Sequence, residues 1–192
     1  MNKPNLFSWA NKELEQDAFL CWLITWAKPS NKKYDVSLNA AGQIFVKELL
    51  KTHNIQDDEI IDISLKKQYK RGDIAIDIVV KVTTEKQTVT LVIEDKVNAN
   101  DYNNLKKYLE KIENDKTYQN TLIKGVFIKT KNQATYSKVL NCGYSIFLRK
   151  DFLRYFDLTK TLKITNNIFL DFQEHLIEID ENIKIEHEKG IY

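Results

Sequence analysis

Residues 73–96 read DIAIDIVVKVTTEKQTVTLVIEDK, two runs rich in β-branched residues around a short polar interruption. β-Branched residues favour strands, so the runs at 73–82 and 88–93 predict two β-strands. The interruption at 84–87 is short enough to be the turn of an antiparallel hairpin. This hairpin decides the interpretation of the chain, because three charged residues directly follow its second strand.

The position of the turn sets the register of the hairpin. If the turn centres between Glu85 and Lys86, residues whose numbers sum to 171 lie opposite each other, and Asp77 therefore lies opposite Glu94. Directly opposed residues point to the same face, with Cβ atoms roughly 4.5–5.5 Å apart. Lys96 shares that face, one pleat beyond Glu94. Asp95 points to the opposite face, and we expect it to play no part.

Two carboxylates that face each other on neighbouring strands repel, and a divalent cation between them removes this penalty. Mg²⁺ is held by one or two carboxylates, with water and substrate phosphate completing its octahedron. The facing pair Asp77 and Glu94 therefore predicts a Mg²⁺ site, at which Mn²⁺ would substitute. Lys96 would project beside the ion and assist attack of water on a phosphate. The pattern predicts a metal-dependent phosphodiester hydrolase.

Asp73 is an alternative metal ligand, because it lies on the same face of its strand as Asp77. Placing Asp73 opposite Glu94 shifts the turn by two residues towards the N-terminus. That register pairs the apolar Val82 with the polar Glu85, which makes a poorer hairpin. We therefore favour Asp77 and keep Asp73 as the alternative.

The rest of the chain alternates between helical and strand periodicities, which indicates an α/β protein. Helices are predicted over 8–27, 37–53, 101–114, a short segment through 139–140, 150–158 and 166–178. Further strands are predicted over 60–65, 121–128 and 144–148. No linker or repeat interrupts the 192 residues. We expect one domain over residues 1–192, with a core at about 8–157 and a C-terminal helical extension at about 158–192.

Composition excludes several other classes of protein. The net charge is only +2, so any surface for nucleic acid must be local. None of the five glycines forms a phosphate-binding loop or a dinucleotide fingerprint. Cys21 and Cys142 are too few for a zinc site or a disulfide framework and favour a reducing cytoplasm. The sequence shows neither a signal peptide nor a long apolar run, so we expect neither export nor a membrane partner.

The order of these elements resembles the PD-(D/E)xK nuclease superfamily, with Asp77 on the second strand and Glu94-x-Lys96 closing the third. Four stretches are similar to an uncharacterised bacterial and phage branch of it: 13–18 (ELEQDA), 68–70 (QYK), 93–96 (IEDK) and 104–108 (NLKKY). The resemblance covers residues 8–157. It implies an αβββαβ restriction-endonuclease-like core, with a central mixed sheet flanked by helices and extra C-terminal helices.

The resemblance also implies roles for particular residues. Asp77 and Glu94 would be metal ligands and Lys96 the catalytic lysine. An acid from the first helix often completes such sites, and Glu13 is the best match, with Glu15 and Asp17 as rivals.

The chain departs from the pattern of the superfamily at two positions. Ile76 stands where proline often precedes the aspartate. Asn104 stands where glutamine is usual, and its shorter amide reaches less far towards the site.

DNA is the expected substrate and partner, in phage defence, mobile-element biology or repair, with a homodimer as an option. The candidate phosphate contacts are basic residues near the second strand and on the following helix: Lys67, Lys70, Arg71, Lys106 and Lys107. One alternative is a catalytically inactive module of the same fold that binds nucleic acid or protein. Another is a purely structural interaction protein.

Overall fold

The computed structural model describes residues 7, 13–56, 58–72, 74–96, 104–131 and 135–188. The side chains at positions 13–15, 71, 187 and 188 fall outside this description. Asp73 and the predicted helix start at 8–12 lie outside the described residues. So do the side chains of Glu13, Glu15 and Arg71.

The described residues form six α-helices, which follow the predicted order. They are α1 (Glu13–Trp26), α2 (Val36–Lys51), α3 (Leu105–Glu113), α4 (Ser137–Asn141), α5 (Arg149–Thr159) and α6 (Asn167–Glu188). Short 3₁₀ helices cover Pro29–Lys33, Lys116–Tyr118 and Lys160–Leu162. Helix α6 continues ten residues beyond the predicted end at 178. Its residues Phe169, Phe172 and Leu176 are buried, and Ile179, beyond that predicted end, packs against the same core.

Within the described part of the chain, five strands form one mixed sheet in the order β1-β2-β3-β4-β5. They are β1 (Ile60–Arg71), β2 (Ile74–Thr84), β3 (Thr88–Lys96), β4 (Leu122–Lys129) and β5 (Tyr144–Leu148). The first three strands pair antiparallel, whereas β3, β4 and β5 run parallel. The carboxyl ends of β3, β4 and β5 therefore meet at one edge of the sheet.

The sheet separates two apolar layers. Helices α1, α2, α5 and α6 cover one face, on which Ile78 and Ile93 are buried. Helices α3 and α4 cover the other face, on which Val79, Val92 and Phe127 are buried. A mixed sheet between helices, with extra helices at the C-terminus, confirms the predicted fold class.

The predicted register of the β2–β3 hairpin is confirmed. Every pair from Ile78↔Ile93 to Thr83↔Thr88 has numbers that sum to 171. Asp77 and Glu94 come next in this register, one step beyond the last paired residues. There the Asp77 Oδ2 atom accepts the backbone N–H of Asp95 at 3.0 Å, so a side chain replaces the backbone pairing.

Strand β1 is longer than the predicted segment at 60–65 and changes face at Gln68. The pairing steps from Lys67↔Ile78 to Tyr69↔Ile76, so Gln68, at a φ of 47°, lies across the interruption from Asp77. Beyond this point Tyr69 and Ile76 both pack in the α3 layer. The hairpin therefore bends around Asp77 and continues onto α3.

No helix in the described part of the chain is both long and apolar enough to span a bilayer. Both cysteines are free thiols. Burial raises the pKa of Cys21 to about 11, which keeps this thiol protonated and unreactive at neutral pH.

Candidate active site

Asp77, Glu94 and Lys96 converge at the carboxyl end of β3, as the sequence predicted for their positions. The Lys96 Nζ atom lies 2.9 Å from Glu94 Oε1 and 3.7 Å from Asp77 Oδ2. The Glu94 side chain is only 6% exposed, whereas that of Asp77 is 26% exposed. The cluster therefore has a buried end at Glu94 and opens towards solvent at Asp77.

Glu94 lies in an environment that opposes its negative charge. Burial, and next the charge of Asp77, raise the pKa of Glu94 to about 8, although Lys96 acts in the other direction. Its Oε2 atom is buried without a hydrogen-bond partner. The buried rings of Tyr108 and Tyr144 lie close enough for the charge of Glu94 to raise their pKa values, after the larger effect of burial. A buried carboxylate oxygen without a partner is chemically suited to contact a cation.

The two carboxylates fit a Mg²⁺ ion better than a metal that needs a complete set of protein ligands. Among the described residues, no group of three or more His, Cys, Asp or Glu side chains is arranged to hold a metal. Mg²⁺ is commonly bound through one or two carboxylates, with waters and substrate phosphates as its other ligands. Asp77 and Glu94 meet that requirement, because both supply hard oxygen atoms at one opening.

Asp95 points to the face opposite Glu94, as predicted, but the expectation that it plays no part is wrong. It is fully buried, and its Oδ1 atom accepts a 2.5 Å hydrogen bond from Gln16 Nε2 of α1. Gln16 Oε1 in turn accepts from Thr130 Oγ1 at 2.9 Å. Since the backbone N–H of Asp95 holds Asp77, these contacts fix the position of the Asp77 carboxylate.

The same chain of hydrogen bonds extends to the C-terminal helices. Arg149 Nη1 donates to the carbonyl of Thr130 at 2.8 Å, and Arg149 Nε donates to Asp180 Oδ1 at 3.0 Å. One polar path therefore links α6, α5, β4, α1 and β3 beneath the cluster. Sequence reasoning missed this path, because its residues share no motif or spacing.

Asp17 is the acid of α1 whose side chain the structure describes, and it lies near the cluster. Burial, and next the charge of Asp77, raise its pKa to about 6, while Lys67, Asp95 and Lys96 act to lower it. Its Oδ1 atom is buried without a hydrogen-bond partner. The structure thus brings a third carboxylate towards Asp77. The side chain of Glu13, the favoured match, lies outside the described residues, so its role stays a prediction.

The predicted phosphate-binding lysines belong to two different parts of the molecule. Lys67 of β1 faces α1, where its charge lowers the pKa values of Asp17 and Cys21. Lys106 and Lys107 are exposed on α3, which packs on the other face of the sheet. Lys70 is exposed near the tip of the β1–β2 hairpin. Lys67 therefore lies on the α1 side of the sheet, whereas Lys106 and Lys107 lie on the α3 side.

Comparison with known proteins identifies the family to which the chain belongs. No curated protein and no solved structure matches the chain significantly. A model of the PD-(D/E)XK nuclease superfamily matches residues 4–164, which include the complete sheet and the charged cluster. That superfamily generally comprises nucleases, and these typically use divalent metal ions. The chain therefore belongs to the PD-(D/E)XK nuclease superfamily.

Proposed function

We propose that the protein is a Mg²⁺-dependent nuclease that hydrolyses phosphodiester bonds in DNA. The observation that carries this proposal is the buried Oε2 atom of Glu94, which has no hydrogen-bond partner and lies beside Asp77 and Lys96. The negative charge of Asp77 beside Glu94 also opposes ionisation of Glu94, and a cation between the two carboxylates would remove this repulsion. Asp77 and Glu94 would hold the ion, for which Mn²⁺ would substitute.

A bound divalent ion would neutralise charge on the scissile phosphate and lower the pKa of a bound water. Glu94 must be ionised to accept the ion, so binding would release the proton that the raised pKa retains near neutral pH. The Asp95 N–H keeps Asp77 oriented at the opening. The Lys96 ammonium would stabilise negative charge that develops on the phosphate and assist the attacking water.

The acid of the first helix has two candidates in this proposal. Asp17 is favoured by its position near Asp77, and Glu13 by the resemblance of its surrounding sequence. Lys67, Lys70 and Arg71 on one side, with Lys106 and Lys107 on the other, would contact phosphates of the DNA backbone.

The test is a cleavage assay on single-stranded, duplex and branched DNA and on RNA, with Mg²⁺, with Mn²⁺ and without metal. We expect metal-dependent cleavage of DNA, which Lys96→Ala reduces by about 10²–10³ because a donor to the developing charge is lost. The matched control is Lys86→Ala. Lys86 is exposed at the turn that precedes β3. The length of β3, roughly 26 Å at about 3.3 Å per residue, separates this turn from Lys96.

Unchanged cleavage by a folded Lys96→Ala variant would overturn the proposed mechanism. Metal binding without cleavage of any substrate would instead support a noncatalytic module of the same fold. Asp17→Asn and Glu13→Gln in the same assay decide which acid of α1 takes part, since only the participating residue should lower the rate of cleavage.

A further inference from the structure

A basic cavity of about 140 Å³ lies at the carboxyl ends of β4 and β5. The described residues that line it are Lys129, Thr130, Lys131, Tyr136, Leu148, Arg149 and Lys150. Four of these seven are cationic and none is acidic. Arg149 is paired with Asp180, and Lys131 and Lys150 are the exposed cations at the rim of the cavity.

The cavity adjoins the charged cluster, because Lys129 of β4 lies beside Lys96 of β3. Lys129 is the partner of Lys96 in the parallel β3–β4 pairing, so the two side chains share one face on strands about 4.8 Å apart. Lys129 is buried, whereas Lys131 and Lys150 are exposed. The cavity thus leads from an exposed basic rim to a buried lysine beside the one assigned to catalysis.

Size and charge together select the class of ligand. The volume is about ten times the roughly 10–15 Å³ that one water needs, but it lies below the roughly 300–1,000 Å³ of sites for drug-sized molecules. A small oxyanion such as a single phosphate group fits this volume. Lysine ammonium groups recognise phosphate as a point charge through charge-assisted hydrogen bonds.

We propose that this cavity binds one phosphate group of the substrate strand, separate from the phosphate that is cleaved. The identity of that phosphate as part of a substrate rests on the proposed nuclease activity, whereas anion binding itself does not. Lys131 and Lys150 would contact the phosphate at the rim. This contact would fix the distance along the strand between the bound phosphate and the cleaved bond.

The first experiment measures anion binding without nucleic acid or metal. The melting temperature is recorded with EDTA in inorganic phosphate and in chloride of equal ionic strength. We expect phosphate to stabilise the wild type and a control with Lys32→Gln and Lys33→Gln, two exposed lysines just beyond the far end of α1. The variant with Lys131→Gln and Lys150→Gln should lose most of this effect. No stabilisation of the wild type, or equal stabilisation of all three proteins, would overturn the inference.

The second experiment measures affinity for oligonucleotides in EDTA as a function of salt. Each lost phosphate contact should reduce the slope of log K against log salt by about 0.7–0.9, and the Lys131 and Lys150 double variant should lose this amount because the cavity holds one phosphate. Affinity at low salt should fall about tenfold, the loss typical of one charged hydrogen bond. A slope equal to that of the Lys32 and Lys33 control would overturn the inference.

The same oligonucleotides separate the sources of the phosphate. A loss confined to strands with a 5′- or 3′-terminal phosphate assigns the cavity to that end, whereas an equal loss on all strands assigns it to an internal diester. Wild-type protein that binds phosphate through these lysines but cleaves nothing would leave the cavity assignment intact and refute the proposed nuclease activity.

Discussion

Glu94 combines a buried oxygen that has no partner with a pKa raised from its usual 4.5 to about 8. In the metal-free protein the folded state therefore holds a proton that the unfolded state releases between these two pH values. The stability that this proton contributes is complete below about pH 4.5 and is lost as the pH rises through about 8. Glu94 thus weakens the metal-free fold at alkaline pH, which is the condition that favours cation binding.

Replacing Glu94 by glutamine removes this titration while keeping the shape of the side chain. We expect the metal-free Glu94→Gln variant to lose less stability than the wild type between about pH 5.5 and pH 8.5. The measurement is urea unfolding with EDTA at both pH values. Glu85→Gln, at the exposed turn, is the control. If the variant and the wild type lose equal stability between the two pH values, the loss of stability does not come from Glu94.

Gln16 is a positioning residue, because both ends of its amide hold buried groups of the sheet. Gln16→Ala would leave Asp95 and Thr130 each short of one hydrogen bond. We expect the free energy of unfolding to fall by about 1–3 kcal/mol. Thr25→Ala, at an exposed site of the same helix, should change it by less than about 0.5 kcal/mol. Equal urea midpoints for Gln16→Ala and the wild type would show that the hydrogen bonds of Gln16 contribute nothing to the free energy of unfolding.

At the scale of elements, the β2–β3 hairpin was predictable because its register depends on a local turn and local apolar pairs. The face change at Gln68 was not predictable, since it depends on contacts with distant elements. Tyr69 packs against Tyr118, and Lys66 lies over both of these rings, although 66–70 lies beyond the strand predicted at 60–65. The role of Asp95 was missed for the same reason, because its partner Gln16 is 79 residues away.

The docking of α1, which brings Gln16 and Asp17 to the sheet, depends on Gly42 of α2. A Cβ atom at this position would lie 2.6 Å from Ala27 N and 2.7 Å from Leu23 O, both backbone atoms that cannot move independently. The two helices therefore cross at a point where only glycine fits.

Gly42→Ala should destabilise the protein by about 1–3 kcal/mol, despite the better helix propensity of alanine, because the overpacked crossing must open. Urea unfolding measures the change. Ala40→Gly, on the same helix and half-buried, gives the effect of propensity alone, which is about 1 kcal/mol. A stabilised Gly42→Ala variant would mean that α1 can move away from α2 without lowering the free energy of unfolding.

At the scale of the whole molecule, the net charge of +2 conceals a separation of charge along one edge of the sheet. Acidic groups gather where the β2–β3 pairing ends, and basic groups gather where β4 and β5 end. Parallel strands place their carboxyl ends together, so this polarity follows from the topology and not from the composition. A nucleic-acid strand laid along the edge would meet the carboxylates of Asp77 and Glu94 first and the basic cavity next.

A bound ion should stabilise the whole fold, because it binds the folded protein and not the unfolded chain. At a free Mg²⁺ concentration one hundred times Kd, the gain is about 2.7 kcal/mol, or about 5–10 °C in Tm for a chain of this size. Thermal unfolding with and without Mg²⁺ measures it. Asp77→Asn should abolish the shift, whereas Asp62→Asn, an exposed carboxylate on β1, should keep it. An unchanged Tm of the wild type in Mg²⁺ and in Mn²⁺ would favour a purely structural protein, since no ion would then bind between Asp77 and Glu94.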